Sequence, residues 1–344
     1  MTENPIIQVK GLTKVYNGSL KAVDNVSFDV GAGEIFGFLG PNGAGKTSTI
    51  MMLITLSKPT AGRAIVCGYD IVKNAMAVRN CMGYVSQDVA VDDQLTGLEN
   101  LMLQGQLYHL PRSLLKQRSK EVLSMVALTE RGEDLVSTYS GGMRKRLDIA
   151  EGLLHRPQIL FLDEPTLGLD IQTRHKIWDY IRKLRSESKM TIFLTTHYMD
   201  EADELCDRIA IIDQGKIKVI DSPNSLKSNM GGDIITLQLK QKTSNQAELI
   251  LQQLKELSKV KSVTQTGEGT YTIIAQDGDT AIPKICKTVD RLGGSMGSIT
   301  LKRPSLDDVF LTYTGRALRE EESSRAAGLS ERVRMMRVRG GGSR

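Results

Sequence analysis

The nonapeptide GPNGAGKTS, residues 40–48, decides how the rest of the chain is read. It fits the pattern G-x-x-x-x-G-K-[ST], follows the apolar run IFGFL, and precedes a helix-like segment that starts near Gly45. Strand, glycine-rich turn and helix start form the context in which this pattern holds phosphate. Gly40, Gly43 and Gly45 let backbone N–H groups turn inward around phosphate oxygens, and the helix start adds its positive dipole. Pro41, Asn42, Ala44 and Ser48 complete the loop. Lys46 is placed to reach the β and γ phosphates of a nucleotide, and the Thr47 hydroxyl to ligate Mg2+.

Such a loop needs a carboxylate on a neighbouring strand to hold the metal, and ILFLDE supplies Asp163 at the end of an apolar run. Glu164 follows at once. Read as extended chain, adjacent side chains point to opposite sides, so Asp163 serves the metal while Glu164 faces an attacking water as general base. A second anion site stands in STYSGGMRKRLDIAEGLL, residues 137–154, where Ser140, Gly141 and Gly142 open a helix whose first N–H groups are bare. The phosphate loop already supplies one such site, so a second makes sense if it serves the nucleotide of another subunit.

A chain of 344 residues is long for one compact domain and suits two. With 40% hydrophobic and 25% charged residues it is globular in composition. No window approaches the roughly 18 to 20 apolar residues of a membrane span, and MTENPIIQVK lacks a signal peptide's apolar core, so a cytosolic location is expected. Cys67, Cys81, Cys206 and Cys286 show no paired spacing, which argues against a zinc cluster or a disulfide framework and for reduced thiols. The net charge of +5 is mostly a tail: residues 316–344 hold eight Arg and four Glu, or +4, leaving about +1 elsewhere. A basic tail is not a basic domain, and no specific nucleic-acid partner is expected.

The opening 38 or so residues alternate short β-rich runs with Gly and Asn-Gly punctuation and predict antiparallel strands ending in a buried one at 35–39. Residues 98–154 turn helical, with Pro111 dividing them. The runs QILFLD and TIFLTTH flank a helix-like TRHKIWDYIRKLRSE, in which Trp178 is expected to pack on the sheet; RIAIIDQGKIKVID follows as a strand and turn pair. This alternation implies an α/β fold with a parallel, doubly wound sheet. After DSPNSLKSNMGGD the texture changes, placing a boundary near residue 228. Beyond it, strand 234–240, helix 245–257, strands 260–265 and 271–276, helix 281–292 and strand 298–302 read as βαββαβ, a ferredoxin-like α+β unit over 228–315. The segment PSLDDVFLTYTGRAL predicts an amphipathic helix with Leu306, Val309, Phe310 and Tyr313 packed on its own domain. The tail SERVRMMRVRGGGSR reads as solvated.

The segment YSGGM, residues 139–143, resembles the signature motif of ATP-binding-cassette (ABC) ATPases, which caps ATP across a head-to-tail dimer. With that resemblance, which spans roughly residues 5–225, further residues fall into the family's order. Tyr16 sits where an aromatic stacks on adenine. Gln87 in GYVSQD is similar to the glutamine that contacts Mg2+ and the attacking water and senses a membrane partner. Asp170, ending LGLD, is similar to the dimer-contacting loop, and His197 in TTHYMDEAD to the switch histidine on the γ-phosphate. Taken singly, a histidine after an apolar strand is ordinarily an edge residue and a tyrosine at a strand end ordinarily packing; their place in the full series changes the reading. Tyr139 and Met143 depart from the common Leu and Gln but match exporter ATPases related to the daunorubicin and doxorubicin resistance subunits, as does the segment after the second unit.

The resemblance implies a P-loop ABC ATPase domain over residues 1–227 with a helical subdomain about 90–155. It implies ATP and Mg2+ as cofactors, a homodimer or a closely related second ATPase subunit, and a separate integral membrane permease docked at the helical segment and the Gln87 region. Location would then be the cytoplasmic face of the membrane, and the output export of an amphipathic cargo, with the second unit regulatory or dimer-supporting. Two other classes fit the sequence less well. A soluble ABC ATPase acting on ribosomes resembles two cassettes in one chain, and one acting on DNA carries a long coiled coil, of which there is no heptad run here. A module that binds nucleotide without turnover requires a damaged catalytic set, whereas Lys46, Asp163, Glu164 and His197 are all present.

Overall fold

The computed structural model describes residues 5–240, 244–267 and 269–315; the basic tail lies outside them. The described residues divide into two compact units, the first running to Asp221 and the second beginning at Ser222. In chain order the first holds β1 (Ile7–Tyr16), β2 (Leu20–Val30), β3 (Ile35–Leu39), α1 (Lys46–Leu53), β4 (Ala61–Val66), β5 (Tyr69–Asp70), α2 (Ala75–Cys81) and β6 (Met82–Val85). Helices α3 (Gly97–Leu107), α4 (Arg112–Met125) and α5 (Gly141–Leu153) follow. Then come β7 (Ile159–Asp163), α6 (Ile171–Ser188), β8 (Thr191–Thr196), α7 (Met199–Leu205), β9 (Arg208–Asp213) and β10 (Lys216–Asp221).

Two sheets organise this unit. A six-stranded sheet runs β10-β9-β3-β8-β7-β6, parallel except for β10 at its edge. Strands β3, β7 and β8 are buried along their whole length, as expected where elements cover both faces and the sequence reads as an unbroken apolar run. An antiparallel sheet runs β2-β1-β4-β5. Between the sheets, Phe28 of β2 packs on Phe36 and Phe38 of β3 at 5.6 and 5.2 Å, and Phe193 of β8 contacts all three and Phe161 of β7. Phe36 and Phe38 share one face of β3 because side chains alternate along a strand.

Residues 55–97 carried no element in the sequence reading, yet they hold β4, β5, α2 and β6. Strand β6 is four residues long and β5 two, too short to show a period, and each is set by its neighbour: Met82–Val85 pairs in register with residues 159–162 of β7. Cys67 and Cys81, far apart in sequence, meet here, with the Cys67 thiol 3.9 Å from the Cys81 carbonyl oxygen; all four cysteines are free. Trp178 is buried, and its Nε1 donates to Glu201 of α7 at 2.9 Å.

The second unit contains α8 (Pro223–Asn229), β11 (Asp233–Leu239), α9 (Ser244–Lys255), β12 (Val260–Gly267), β13 (Thr270–Ala275), α10 (Gly278–Arg291), β14 (Met296–Lys302) and α11 (Leu306–Thr314). Its antiparallel sheet runs β12-β13-β11-β14 around a core that includes Ile235, Ile273, Ile285 and Val289. The unit begins at residue 222, ahead of the expected 228, because Ser222 caps α8 by accepting from the Ser225 amide and Pro223 occupies its first position, so the Ser- and Asn-rich run is a helix. In α11, Leu306, Val309 and Phe310 are buried but Tyr313 is 39% exposed, since the last turn runs past the surface it covers.

Phe193 is the hub of the aromatic cluster and fully buried. Phe193→Ala should lower stability by about 3–5 kcal/mol, read as a shift of the urea midpoint at unchanged slope.

Candidate functional site

The phosphate loop joins β3 to α1, and its geometry explains its composition. Gly45 caps α1 at φ 106°, and a Cβ there would lie 2.4 Å from the Ala22 carbonyl oxygen, so neither the conformation nor the space admits a side chain. The next residue, Lys46, is 4% exposed and folds back over the loop, its Nζ donating to the carbonyls of Gly40 at 2.7 Å and Pro41 at 3.3 Å. The same ammonium lies 3.0 Å from Glu164 Oε1. Glu164 Oε2 in turn lies 2.9 Å from His197 Nδ1. Burial works to raise the Glu164 pKa, but the His197 hydrogen bond and the Lys46 charge outweigh it, and the carboxyl is held below its usual range.

Asp163 ends β7 and Glu164 leaves it. The backbone of Glu164 is left-handed, with φ 47°, so strand alternation does not set the directions of the two carboxylates as the sequence reading had it. The turn does, and it is held on both sides: the Glu164 N–H donates to the Thr195 carbonyl and hydroxyl, each at 3.1 Å, while the Thr195 hydroxyl donates to Asp163 Oδ1 at 2.5 Å. A non-glycine residue persists in such a conformation where its surroundings over-determine it. Burial raises the Asp163 pKa above the usual carboxylate range against the hydrogen bonds of Thr195 and Thr47. Thr47 Oγ1 stands 3.5 Å from Asp163 Oδ1, long for a hydroxyl hydrogen bond. Two oxygen donors set apart at a helix start, one of them a carboxylate whose charge lacks solvation, are a donor set that suits a hard divalent cation.

Lys46, Thr47, Asp163, Glu164 and His197 thus converge at the carboxyl ends of β3, β7 and β8. The remaining candidates stand on other elements. Ser140 caps α5, its hydroxyl accepting from the Met143 amide at 3.3 Å, and Ser140 and Gly141 are exposed at the helix start. Asp170 caps α6 through the Thr173 amide at 3.0 Å and hydroxyl at 2.6 Å. Tyr16 ends β1, with Lys14 Nζ 4.9 Å from its ring centre. Gln87 follows β6 and is exposed.

Two contributors escaped the sequence reading. Thr195 lies inside an apolar strand, where a hydroxyl two residues ahead of His197 was the available signal. Glu201 is fully buried on α7 and accepts from Thr166 Oγ1 at 2.8 Å and from Trp178, linking the segment after Glu164 to the helix after His197; burial raises its pKa.

A phosphate loop on a parallel sheet, a buried carboxylate pair and a serine-glycine helix start beyond them define a nucleotide-hydrolysing cassette. Residues 23–167 match the ABC transporter family, and residues 222–314 match the C-terminal domain of DrrA1-3-like ATP-binding proteins. The doxorubicin resistance ATP-binding protein DrrA of Mycobacterium tuberculosis is 39% identical over 321 residues, covering 90% of this chain and 93% of that protein. The linearmycin resistance ATP-binding protein LnrL of Bacillus subtilis is 38% identical, covering 92% of this chain and all of its own. Among solved structures, an ATP-binding cassette in a dimeric post-hydrolysis state bound to ADP and Pi matches with a TM-score of 0.56 and 28% identity, over 63% of this chain and 98% of that one. The chain belongs to the ABC transporter family as an ATP-binding ATPase subunit of the DrrA-like drug-resistance group. No helix among the described residues is long and apolar enough to cross a membrane.

Helix α5 also buries Glu151, whose pKa is pushed up to about 8, chiefly by burial and then by Asp148. An unfolded Glu titrates near about 4.3. Between those values the folded chain keeps a proton that the unfolded chain has released, so stability falls as pH rises through that window. Glu151→Gln removes the penalty: its melting temperature should exceed wild type by several degrees at pH 8 to 9 and match it near pH 4, by calorimetry.

Proposed function

We propose that two copies, or this chain and a closely related ATPase subunit, close head to tail around two Mg-ATP and drive a separate membrane permease from its cytoplasmic face. The observation that carries the catalytic half is the Glu164 carboxylate, kept charged between Lys46 and His197 beside the phosphate loop. A carboxylate so held is ready to take a proton from water, provided its cation partner has another anion to turn to. ATP supplies that anion. Lys46 exchanges Glu164 for the β and γ phosphates, Glu164 polarises the water for in-line attack, and His197 donates toward the departing γ-phosphate. Thr47, Asp163 and Gln87 would hold Mg2+, which when bound neutralises phosphate charge. Tyr16 stacks on adenine.

The second half concerns Ser140, Gly141 and Gly142. Ser140 and Gly141 are exposed at the start of a 13-residue helix and Gly142 is buried behind them; such a helix start is an anion site, and it sits on a different element from the phosphate loop. Assigned to the ATP of the facing subunit, with Asp170 at the contact, they make the γ-phosphate a bridge whose loss reopens the dimer. The dimeric state of the related ADP-bound cassette supports this arrangement. Relatives named for drug resistance and Nod factor export support the export of amphipathic cargo. The second unit, which carries none of these residues, serves to support or regulate the pair.

Glu164→Gln should bind ATP as wild type does, lose at least about 10²-fold in turnover, and sediment as a dimer in ATP and as a smaller species in ADP. Turnover at the wild-type rate would remove Glu164 from this role.

A further inference from the structure

The loop that carries Gln87 is held by a charge with no part in the reading above. Lys145, on α5, is 3% exposed, and its Nζ donates to the Ser86 carbonyl at 2.6 Å and reaches the Gln87 carbonyl at 3.5 Å. Its counter-ion, Asp148, one turn along the same helix and 5% exposed, lies 3.2 Å away. A lysine buried to this degree is rare without a pairing that satisfies it. Here the donors end on the backbone of another segment, so the ammonium spans two elements. Asp148 also faces that segment: burial raises its carboxyl pKa, opposed by the charge and hydrogen bond of Lys145 and then by the Ala90 amide. Both side chains of the pair therefore reach residues 86–90.

Two further contacts make α5 a stiff reporter of this loop. Strand β6, which delivers Ser86, lies so close to α5 that a Cβ on Gly83 would stand 2.3 Å from the Gly152 carbonyl oxygen; helix and strand cannot come closer there without a clash, nor separate without opening a void. At its other end α5 begins with Ser140, five residues and about 7 Å of helix rise from Lys145. One rigid element thus touches the Gln87 backbone with one side chain and presents Ser140, Gly141 and Gly142 at its tip.

We propose that Lys145, neutralised by Asp148, is a positioning residue that locks the backbone of Gln87 to α5, so that the placement of Gln87 at one nucleotide and of the serine-glycine tip at the other subunit's nucleotide are set together. The proposal rests on the roles assigned above to Gln87 and to the tip. A displacement of Gln87 by an ångström lowers turnover without removing any group that binds ATP.

The test is a double-mutant cycle on the full chain, with kcat normalised to ATP-binding stoichiometry. Lys145→Met should lower kcat about tenfold or more with KM for ATP nearly unchanged, and Lys145→Arg, which can still donate to both carbonyls, should recover most of it. In a Gln87→Ala background Lys145→Met should cost little more, because its effect runs through Gln87. Should Lys145→Met fail to fold, the pair Lys145→Met with Asp148→Leu removes both buried charges and replaces it in the cycle. A folded variant with wild-type kcat, or losses that multiply with Gln87→Ala, overturns the clamp alone. Wild-type turnover in Gln87→Ala by itself overturns the Gln87 role and the clamp with it.

Discussion

A buried ammonium and a buried carboxylate 3.0 Å apart, Lys46 and Glu164, are the constraint around which the first unit is arranged. Either charge alone would be expensive so far from water, and removing one partner of such a pair leaves the other uncompensated. The pair exists because β3 and β7 lie on either side of β8 and run parallel to it, bringing a helix start and a strand end within reach of each other. The phosphate loop supplies the lysine with two carbonyls, and the Thr195 hydroxyl fixes the turn that aims Glu164.

Connection outward from this centre runs through side chains that bridge elements. His197 ties the end of β8 to Glu164, and Glu201 ties the following helix to Thr166. Lys145 ties α5 to the segment after β6. These bridges are polar but buried, which gives them definite geometry and makes a half-broken network costly. The aromatic cluster between the two sheets has the opposite character: it is apolar and non-directional, and it holds the platform on which the polar bridges are aligned.

The parallel core was legible because β3, β7 and β8 are continuous apolar runs with motif residues at their ends, and the second unit because the elements of its βαββαβ order show a period. The phosphate loop, Asp163 and Glu164 were readable from local pattern and His197 only from its place in the family's series of motifs, and the structure brings them together. Short strands were not: Met82–Val85 is a strand by virtue of β7 beside it, which no local window contains. Helix α8 carried no expected element because serines and asparagines stand for loops until the Ser-Pro start is noticed. Lys145 and Glu201 were invisible for a different reason, since on a helix a charged residue reads as solvated unless the element covering it is known. The Glu164 direction was misjudged because a positive φ cannot be seen in the residue name.

The claim on which the account turns is that each ATP site is built from two subunits, and mixing two inactive proteins tests it most directly. Lys46→Ala disables the phosphate loop. Gly141→Asp places a negative charge where the γ-phosphate of the facing subunit should sit; its Cβ has room, with Leu169 3.7 Å away, and an acid at a helix start does not harm the helix. Each variant alone should be inactive, because every site in its dimer lacks one half. Mixed, they should regain ATPase activity, since the heterodimer pairs an intact Lys46 loop with an intact Ser140 tip at one of its two sites. A mixture as inactive as its parts, from proteins shown to exchange subunits, would mean that each site is completed within a single chain and would contradict the account.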